Sequence, residues 1–316
     1  MVDALTVLEN VSCALCGEKQ GTTELEARDW LHGSGETFRY VRCSRCGLVY
    51  LNPRPRPQDI GRYYPRESYY TFQDQGRTAA DVIRPAHRRL AQQLTRGLGP
   101  GASFDVGCGD GSFMLALAQL GWQPAGIEYD GDTAARLRHK WELPVAAGDF
   151  LTIDLPLRQY DLVSMLEALE HLHQPQTALR RAFDLLKPGG TLFVTVPNIA
   201  SLEYRLWGAD WVALEPPIHL YHFSPSTLSR ALHQAGFEVI SIRHSASTAG
   251  LTRSLWLKLR RGTAGDGRRS GPAVYHASSW RRVAHSVLSA ALSPIGGALA
   301  LAGMGPGLRV LARRPA

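Results

Sequence analysis

The chain is 316 residues long, with 44% hydrophobic and 20% charged residues and a formal net charge of +7. This is ordinary globular composition, long enough for one large core or two smaller ones, and it excludes a chain too polar to fold. The charge is unevenly spread: residues 246–316 carry ten Arg and one Lys against the single acid Asp266, a local +10, so the remainder stands at −3 (7 − 10). The basic character belongs to the tail and points to a local anionic partner, a membrane surface or nucleic acid.

The first residues show no basic segment followed by an apolar run, so no secretory signal is expected there. Four of the five cysteines form two pairs, Cys13-x-x-Cys16 and Cys43-x-x-Cys46, with 26 residues between them. Such usage suits a reducing, cytoplasmic setting and a metal better than disulfides. Gly17 and Gly47 follow the pairs and suit the tight turns that fold thiolates around an ion. Four thiolates match a closed tetrahedral zinc site, which predicts a zinc ribbon over residues 1–52. A redox role would be the other use of a C-x-x-C pair, but it leaves the matching knuckles unexplained. Loss of the metal is expected to loosen the ribbon alone.

Residues 53–100 read as a linker and a helical cap. Asn52 and three alternating prolines, Pro53, Pro55 and Pro57, make a stiff connector. Tyr63, Tyr64, Tyr69 and Tyr70 either cap a site or pack between modules. Residues 78–97 predict one helix with Val82, Ile83, Leu90 and Leu94 on one face.

A short apolar strand over residues 102–106 then runs into Gly107, Gly109 and Gly111, and a helix is expected from Ser112. Alternate glycines permit positive φ and close approach of main chain to a ligand, and a helix N-terminus beyond them offers free N–H groups. The spacing G-x-G-x-G after Asp105 differs from the dinucleotide fingerprint G-x-G-x-x-G. A second strand ends at Glu128, 17 residues past Gly111; a third precedes Asp149; a fourth covers residues 160–165 and opens a run containing Glu167, Glu170 and His171. An acid at the position of Glu128 can accept hydrogen bonds from both hydroxyls of a ribose. A helix over 175–186, a strand over 191–196, a helix over 225–234 and a strand over 237–243 complete a core spanning 101–245.

Asp105, Gly107, Gly109, Gly111, Glu128, Asp149, the Glu170-His171 pair and the Lys187-Pro188-Gly189-Gly190 turn together resemble the class I S-adenosylmethionine-dependent methyltransferases. The resemblance implies an α/β fold: a seven-stranded Rossmann-like sheet. It also implies that Asp105 and the glycine turn hold the methionine part of the cofactor, that Glu128 takes the ribose and that Asp149 lies near the adenine. Glu167 joins this cofactor-binding set. With its ribbon, the chain is similar to a subgroup that modifies sugars, quinone-like rings and other small metabolites. That subgroup often has Pro-Arg-His-Leu where this chain has Pro217-Ile218-His219-Leu220, so a possible anion clamp is missing.

Methyl transfer to a hydroxyl needs alignment and removal of a proton. His171, beside the expected position of the methyl group, is the first candidate for general base and His219, in the loop after the fifth strand, the second. Either could instead only pack or hydrogen-bond. Trp207, Trp211 and Tyr221 could wall an acceptor pocket or fill the core.

Residues 246–306 read as a helical insertion, and 307–316 as the last, antiparallel strand and the C-terminus. Residues 286–308 contain no charged side chain, but Pro294, Gly296, Gly297, Gly303, Gly305 and Pro306 break the run. Arginines 260, 261, 268, 269, 281 and 282 surround it, and Gly262 to Gly271 reads as a loop. Two readings stand side by side: internal packing of the apolar run, on the sheet or on a second copy of the chain, and peripheral contact with the inner face of a membrane. The favoured function is methyl transfer to a hydroxyl of a sugar, quinone-like or lipid-linked small molecule. The competing readings are an RNA methyltransferase using ribbon and tail, and a non-catalytic zinc-ribbon adaptor.

Overall fold

The computed structural model describes residues 8–31, 34–64, 78–263, 287–289 and 291–316. The chain starts with β1 (Leu8–Glu9), β2 (Gly21–Arg28), β3 (Thr37–Cys43), β4 (Val49–Leu51) and β5 (Arg54–Pro55). β2, β3 and β4 form an antiparallel ribbon, while β1 pairs with β5 beside it. Gly17 and Gly47, at φ of 72° and 77°, turn the two cysteine knuckles as their positions predicted.

Two helices follow, α1 (Ala79–Val82) and α2 (Pro85–Leu94). The single helix expected over 78–97 is broken here. Pro85 lacks an N–H and pushes its predecessor out of helical space, so Ile83 and Arg84 are extended, with ψ of 103° and 138°.

The core then runs β6 (Ala102–Val106), α3 (Ser112–Ala118), β7 (Gln123–Glu128), α4 (Gly131–Trp141), β8 (Val145–Ala147), β9 (Tyr160–Leu166), α5 (Pro175–Leu185) and β10 (Leu186–Pro197). The Lys187–Gly190 stretch, expected as a turn, lies inside β10 as the irregularity between Leu186 and Thr191. After β10 come α6 (Leu202–Trp207), β11 (Tyr221–His222), α7 (Pro225–Gln234), β12 (Glu238–His244), α8 (Ala249–Thr263), α9 (Ser293–Leu301) and β13 (Gly307–Arg313).

Seven strands make one sheet in the order β12-β13-β10-β9-β6-β7-β8. The five strands β10, β9, β6, β7 and β8 are parallel, and β13 slots antiparallel between β10 and β12. Alternate residues of these strands feed different cores. Val163, Leu192, Val194 and Val310 pack with α5, α7 and the ribbon. Leu162, Phe193 and Leu311 pack with α2, α3 and α4 on the other face.

β11 does not join this sheet. It pairs with β4, so the loop after β10 becomes the fourth strand of the ribbon. The ribbon is thereby fastened over the segment expected to cover an acceptor. Of the tail, α8 packs against α6. No helix among the described residues is long and apolar enough to cross a membrane. The side chains of Arg260, Arg261, Arg268, Arg269, Arg281 and Arg282, most of the Gly262–Gly271 loop, and Tyr69 and Tyr70 lie outside the described residues.

Candidate active site

The glycine turn carries φ of 69°, 56° and 73° at Gly107, Gly109 and Gly111. The Gly107 and Cys108 N–H groups donate to the Ile127 carbonyl, at 2.9 and 3.1 Å, which ties the turn to β7. Gly111 is doubly required, because a Cβ there would also press on Leu137 at 2.9 Å and Leu143 at 3.0 Å. The cap is pinned to this turn: the Arg84 guanidinium pairs with Asp110 at 2.6 Å, its backbone N–H donates to Ser112 Oγ, and His87 Nδ1 lies 3.0 Å from the same hydroxyl.

The acids predicted for the site stand around this turn. Asp105, at the end of β6, is buried and accepts a 2.5 Å hydrogen bond from Ser164 Oγ. Burial pushes its carboxyl up to about 7. Glu128 ends β7 and accepts the Gly109 N–H at 2.9 Å and the Asp130 N–H at 3.3 Å, and burial raises its carboxyl too. Asp149 follows β8 and accepts the Leu151 N–H. Glu167 sits just past β9 at φ 52°, its N–H shared by the carbonyl and hydroxyl of Thr195.

A cleft of about 520 Å³ opens from this turn. Asp105, Gly107, Gly109, Glu167 and the cap residues Arg84 and His87 line one end; Glu203, Trp211, Ser245 and Arg253 line the other, and Arg309 joins the lining from β13, opposite Thr195. Glu128 and Asp149 stand at the ends of the neighbouring strands, outside this lining.

The two predicted histidines come together. Their ring centroids are 4.6 Å apart, edge to face, beneath the ribbon rather than in the lining of the cleft. His171 Nδ1 lies 3.0 Å from both the Tyr64 hydroxyl and the Ile218 carbonyl. His219 Nδ1 lies 2.9 Å from the Ala213 carbonyl, and its Nε2 faces Glu215 at 3.8 Å. His222, beside Tyr40, is held neutral by burial. Glu170 is fully buried next to His171, and burial, then Glu167, pushes its carboxyl well up. Ligand atoms of Glu170, His171 and His219 lie within 4.8 Å of one another, a donor set that a cation could take.

The Methyltransferase domain family matches residues 78–242, just over half of the chain. The chain belongs to this family. It is an S-adenosylmethionine-dependent methyltransferase. The methyltransferase is 33% identical over 175 residues to a ubiquinone biosynthesis O-methyltransferase of Bordetella avium (strain 197N), covering 51% of this chain and 72% of that one. To the protein of the same name in Pseudomonas fluorescens (strain SBW25) it is 32% identical over 152 residues, covering 44% and 65%. The matches thus span about two thirds of these relatives' lengths. Among solved structures, the [4+2]-cyclase SpnF shares the fold with a TM-score of 0.51 at 21% identity, over 83% of this chain and 97% of that one.

The residues present in the methyltransferase fit its cofactor. Asp105 is a buried carboxylate without an ion-pair partner among the described residues, and Glu128 is a second, half-buried acid one strand over. Both flank a turn whose positive-φ glycines leave main chain bare. A ligand with an ammonium and a ribose answers those needs.

The four cysteines of the methyltransferase converge as their spacing predicted, with Cys13 and Cys46 sulfurs 3.4 Å apart, those of Cys16 and Cys43 3.5 Å apart, and all ligand atoms within 4.8 Å. Trp211 reaches the cleft, whereas Trp207 and Tyr221 do not line it. Sequence reasoning missed Arg84, Glu203, Arg253 and Arg309. Arg84 carried a signal, since an Arg-Pro pair ahead of a helix marks a break beside the glycine turn. Glu203 carried none, because the helix that covers it begins 46 residues later (249 − 203).

Proposed function

We propose that the chain methylates a hydroxyl of a small, ring-bearing acceptor of quinone type, seated in the cleft at the glycine turn. The observation that carries this reading is the composition of that one cleft. Its cofactor end has the acids and bare main chain suited to a cationic nucleoside, and its far end has Trp211, Pro197 and Leu308 for a flat apolar body. The names of the relatives, which act in ubiquinone biosynthesis, support the same class of acceptor.

In this reading Asp105 and the Gly107–Gly111 turn hold the amino-acid part of the cofactor, Glu128 the ribose, and Asp149 stands on the adenine side. Glu167 contributes the wall beneath the reacting atoms. The bound cofactor supplies an electrophilic methyl group. The chain's own part is to orient the acceptor, exclude water and accept a proton. His171 and His219 hold the floor under the acceptor loop, through the Ile218 and Ala213 carbonyls. Cys13, Cys16, Cys43 and Cys46 hold a structural zinc that keeps the ribbon, and hence β11, in place.

The test is direct. Calorimetric titration with S-adenosylhomocysteine should show one site, and a panel of catechols and hydroquinones should yield O-methyl products. A folded protein that binds no S-adenosylhomocysteine would overturn the cofactor assignment, and products from RNA but from none of the phenols would overturn the acceptor class.

A further inference from the structure

The cleft is also lined by a buried carboxylate, Glu203, and by two guanidinium groups, Arg253 and Arg309. Glu203 lies in the first turn of α6, which Ser201 caps by accepting the Tyr204 N–H at 3.1 Å. It is 2% exposed, and it lines the cleft. One oxygen, Oε2, is anchored by Trp211 Nε1 at 3.4 Å, and the Leu251 N–H at the start of α8 supports the carboxylate. The other, Oε1, is buried without a hydrogen-bond partner. A buried carboxylate oxygen left bare costs stability, so its retention points to a ligand that completes it. Gly250 leaves the space the carboxylate needs, since a Cβ there would overlap Oε2.

Arg253, on α8, and Arg309, on β13 opposite Thr195 of β10, line the same cleft as Glu203. Neither has a carboxylate partner among the described residues; Arg309 only lies over the Phe193 ring at 6.0 Å. Ser245 and Ser247 add hydroxyls to the same wall. Arg84, by the glycine turn, is already paired with Asp110, whereas Arg253 and Arg309 have no such partner among the described residues. The cofactor is cationic, so guanidinium groups in its cleft suit a second, anionic ligand.

We propose that Glu203 is the acid–base residue for the acceptor hydroxyl, and that Arg253 and Arg309 select an acceptor whose hydroxylated ring carries a carboxylate. The proposal rests on the methyltransferase reading of this cleft. In the step, the acceptor O–H bond breaks and its proton passes to Glu203 Oε1. The oxygen electron pair forms the new O–CH₃ bond as the methyl–sulfur bond breaks, and sulfur keeps that pair as a neutral thioether. Glu203 returns its proton to water after product leaves. Burial pushes this carboxyl up to about 7, near the value at which a base works best at neutral pH. The arginines also supply, from α8 and β13, the anion clamp that the Ile218 position lacks.

The experiment uses the full chain saturated with S-adenosylhomocysteine, titrated by calorimetry with 3,4-dihydroxybenzoate and with uncharged catechol. Dihydroxybenzoate is expected to bind at least tenfold more tightly than catechol. The Arg253→Gln/Arg309→Gln double variant should erase that preference and leave catechol unchanged. Glu203→Gln should bind both probes, keep S-adenosylhomocysteine affinity and lose methyl transfer by a hundredfold or more. In the wild type the rate should fall on the acid side with an apparent pKa near that of Glu203. Equal affinity for the two probes, no measurable binding of either, a preference that survives the double variant, or full activity in Glu203→Gln would each overturn the proposal. Loss of S-adenosylhomocysteine affinity in the double variant would also overturn it, by assigning the arginines to the cofactor. Wild type that fails to bind S-adenosylhomocysteine would instead defeat the methyltransferase reading beneath it.

Discussion

Tyr40 Oη, on the central strand of the ribbon, lies 3.1 Å from the backbone carbonyl oxygen of His219 in the acceptor loop. It is also 3.0 Å from the Leu214 carbonyl, so one phenol bridges both ends of the loop segment before β11. Main-chain bonds run the same way: Leu51 N–H donates to the Leu220 carbonyl, and Leu220 N–H donates to the Glu170 carbonyl. Ribbon, acceptor loop and the segment after β9 are therefore one hydrogen-bonded unit.

That continuity changes the expected result of removing the zinc proposed for the four cysteines. Loosening should not stop at residue 52. Chelation, or Cys43→Ser, should reduce hydrogen-exchange protection across residues 37–51 and also at 219–222, because β4 pairs with β11. Tyr40→Phe, with the metal retained, should cost about 1–3 kcal/mol, since buried carbonyls lose their donor. Unchanged protection at 219–222 in the metal-free protein would show that the loop stands without the ribbon.

Arg54 is the second pin between the modules. It is buried, and its guanidinium donates to Glu9 at 2.9 Å, to the His173 carbonyl at 2.9 Å and to the Tyr221 hydroxyl at 2.7 Å. Arg54→Ala should destabilise the chain by about 1.5–3 kcal/mol, the range for hydrogen bonds to a charged group. Arg54→Lys should recover only part of this, because an ammonium cannot reproduce the planar fork. Urea denaturation of the three proteins measures both.

The cofactor end should be sensitive to pH. Burial raises the Asp105 carboxyl from its ordinary 3.8 to about 7, so below that pH the free protein favours the protonated form. Its contribution to stability is present below the unfolded value and is lost as pH rises through about 7. A bound ammonium favours the carboxylate, so binding should release a proton. S-adenosylhomocysteine affinity should therefore rise about tenfold from pH 6 to pH 8. Calorimetry in buffers of different ionisation enthalpy counts the proton released. Asp105→Asn should bind more weakly and lose this pH dependence.

What could be read in advance was what depends on local sequence. The turn at Gly107, Gly109 and Gly111 needs positive φ, and only glycine takes it freely, so the site was legible at its cofactor end. The cysteine knuckles were legible for the same reason at Gly17 and Gly47. The pairing of β11 with β4 was not, because two residues, Tyr221 and His222, carry no period and their partners lie some 170 residues earlier. Pro85 is visible in the sequence, but the amphipathic spacing of Val82, Ile83, Leu90 and Leu94 runs on across it, although proline's missing N–H governs the backbone. The rest of the cleft lining comes from α6, α8 and β13, so no contiguous motif announces Glu203, Arg253 and Arg309.

Two glycines of the tail should respond in opposite directions to the same change. Gly250 starts α8 against Glu203, and a Cβ there would overlap the carboxylate that Trp211 holds. The carboxylate is at the end of a short side chain fixed by α6, so relief requires α8 to move away. Gly250→Ala should then destabilise the chain by about 1–3 kcal/mol, the usual range for overpacking. Gly297 lies within α9, and a Cβ there meets nothing within 4 Å. Alanine restricts the unfolded chain and favours the helix, so Gly297→Ala should stabilise by about 0.4–1 kcal/mol. Thermal unfolding should show a lower midpoint for the first variant and a slightly higher one for the second. A Gly250→Ala protein as stable as wild type would mean that α8 does not press on Glu203, and the anchoring of that carboxylate would have to be redrawn.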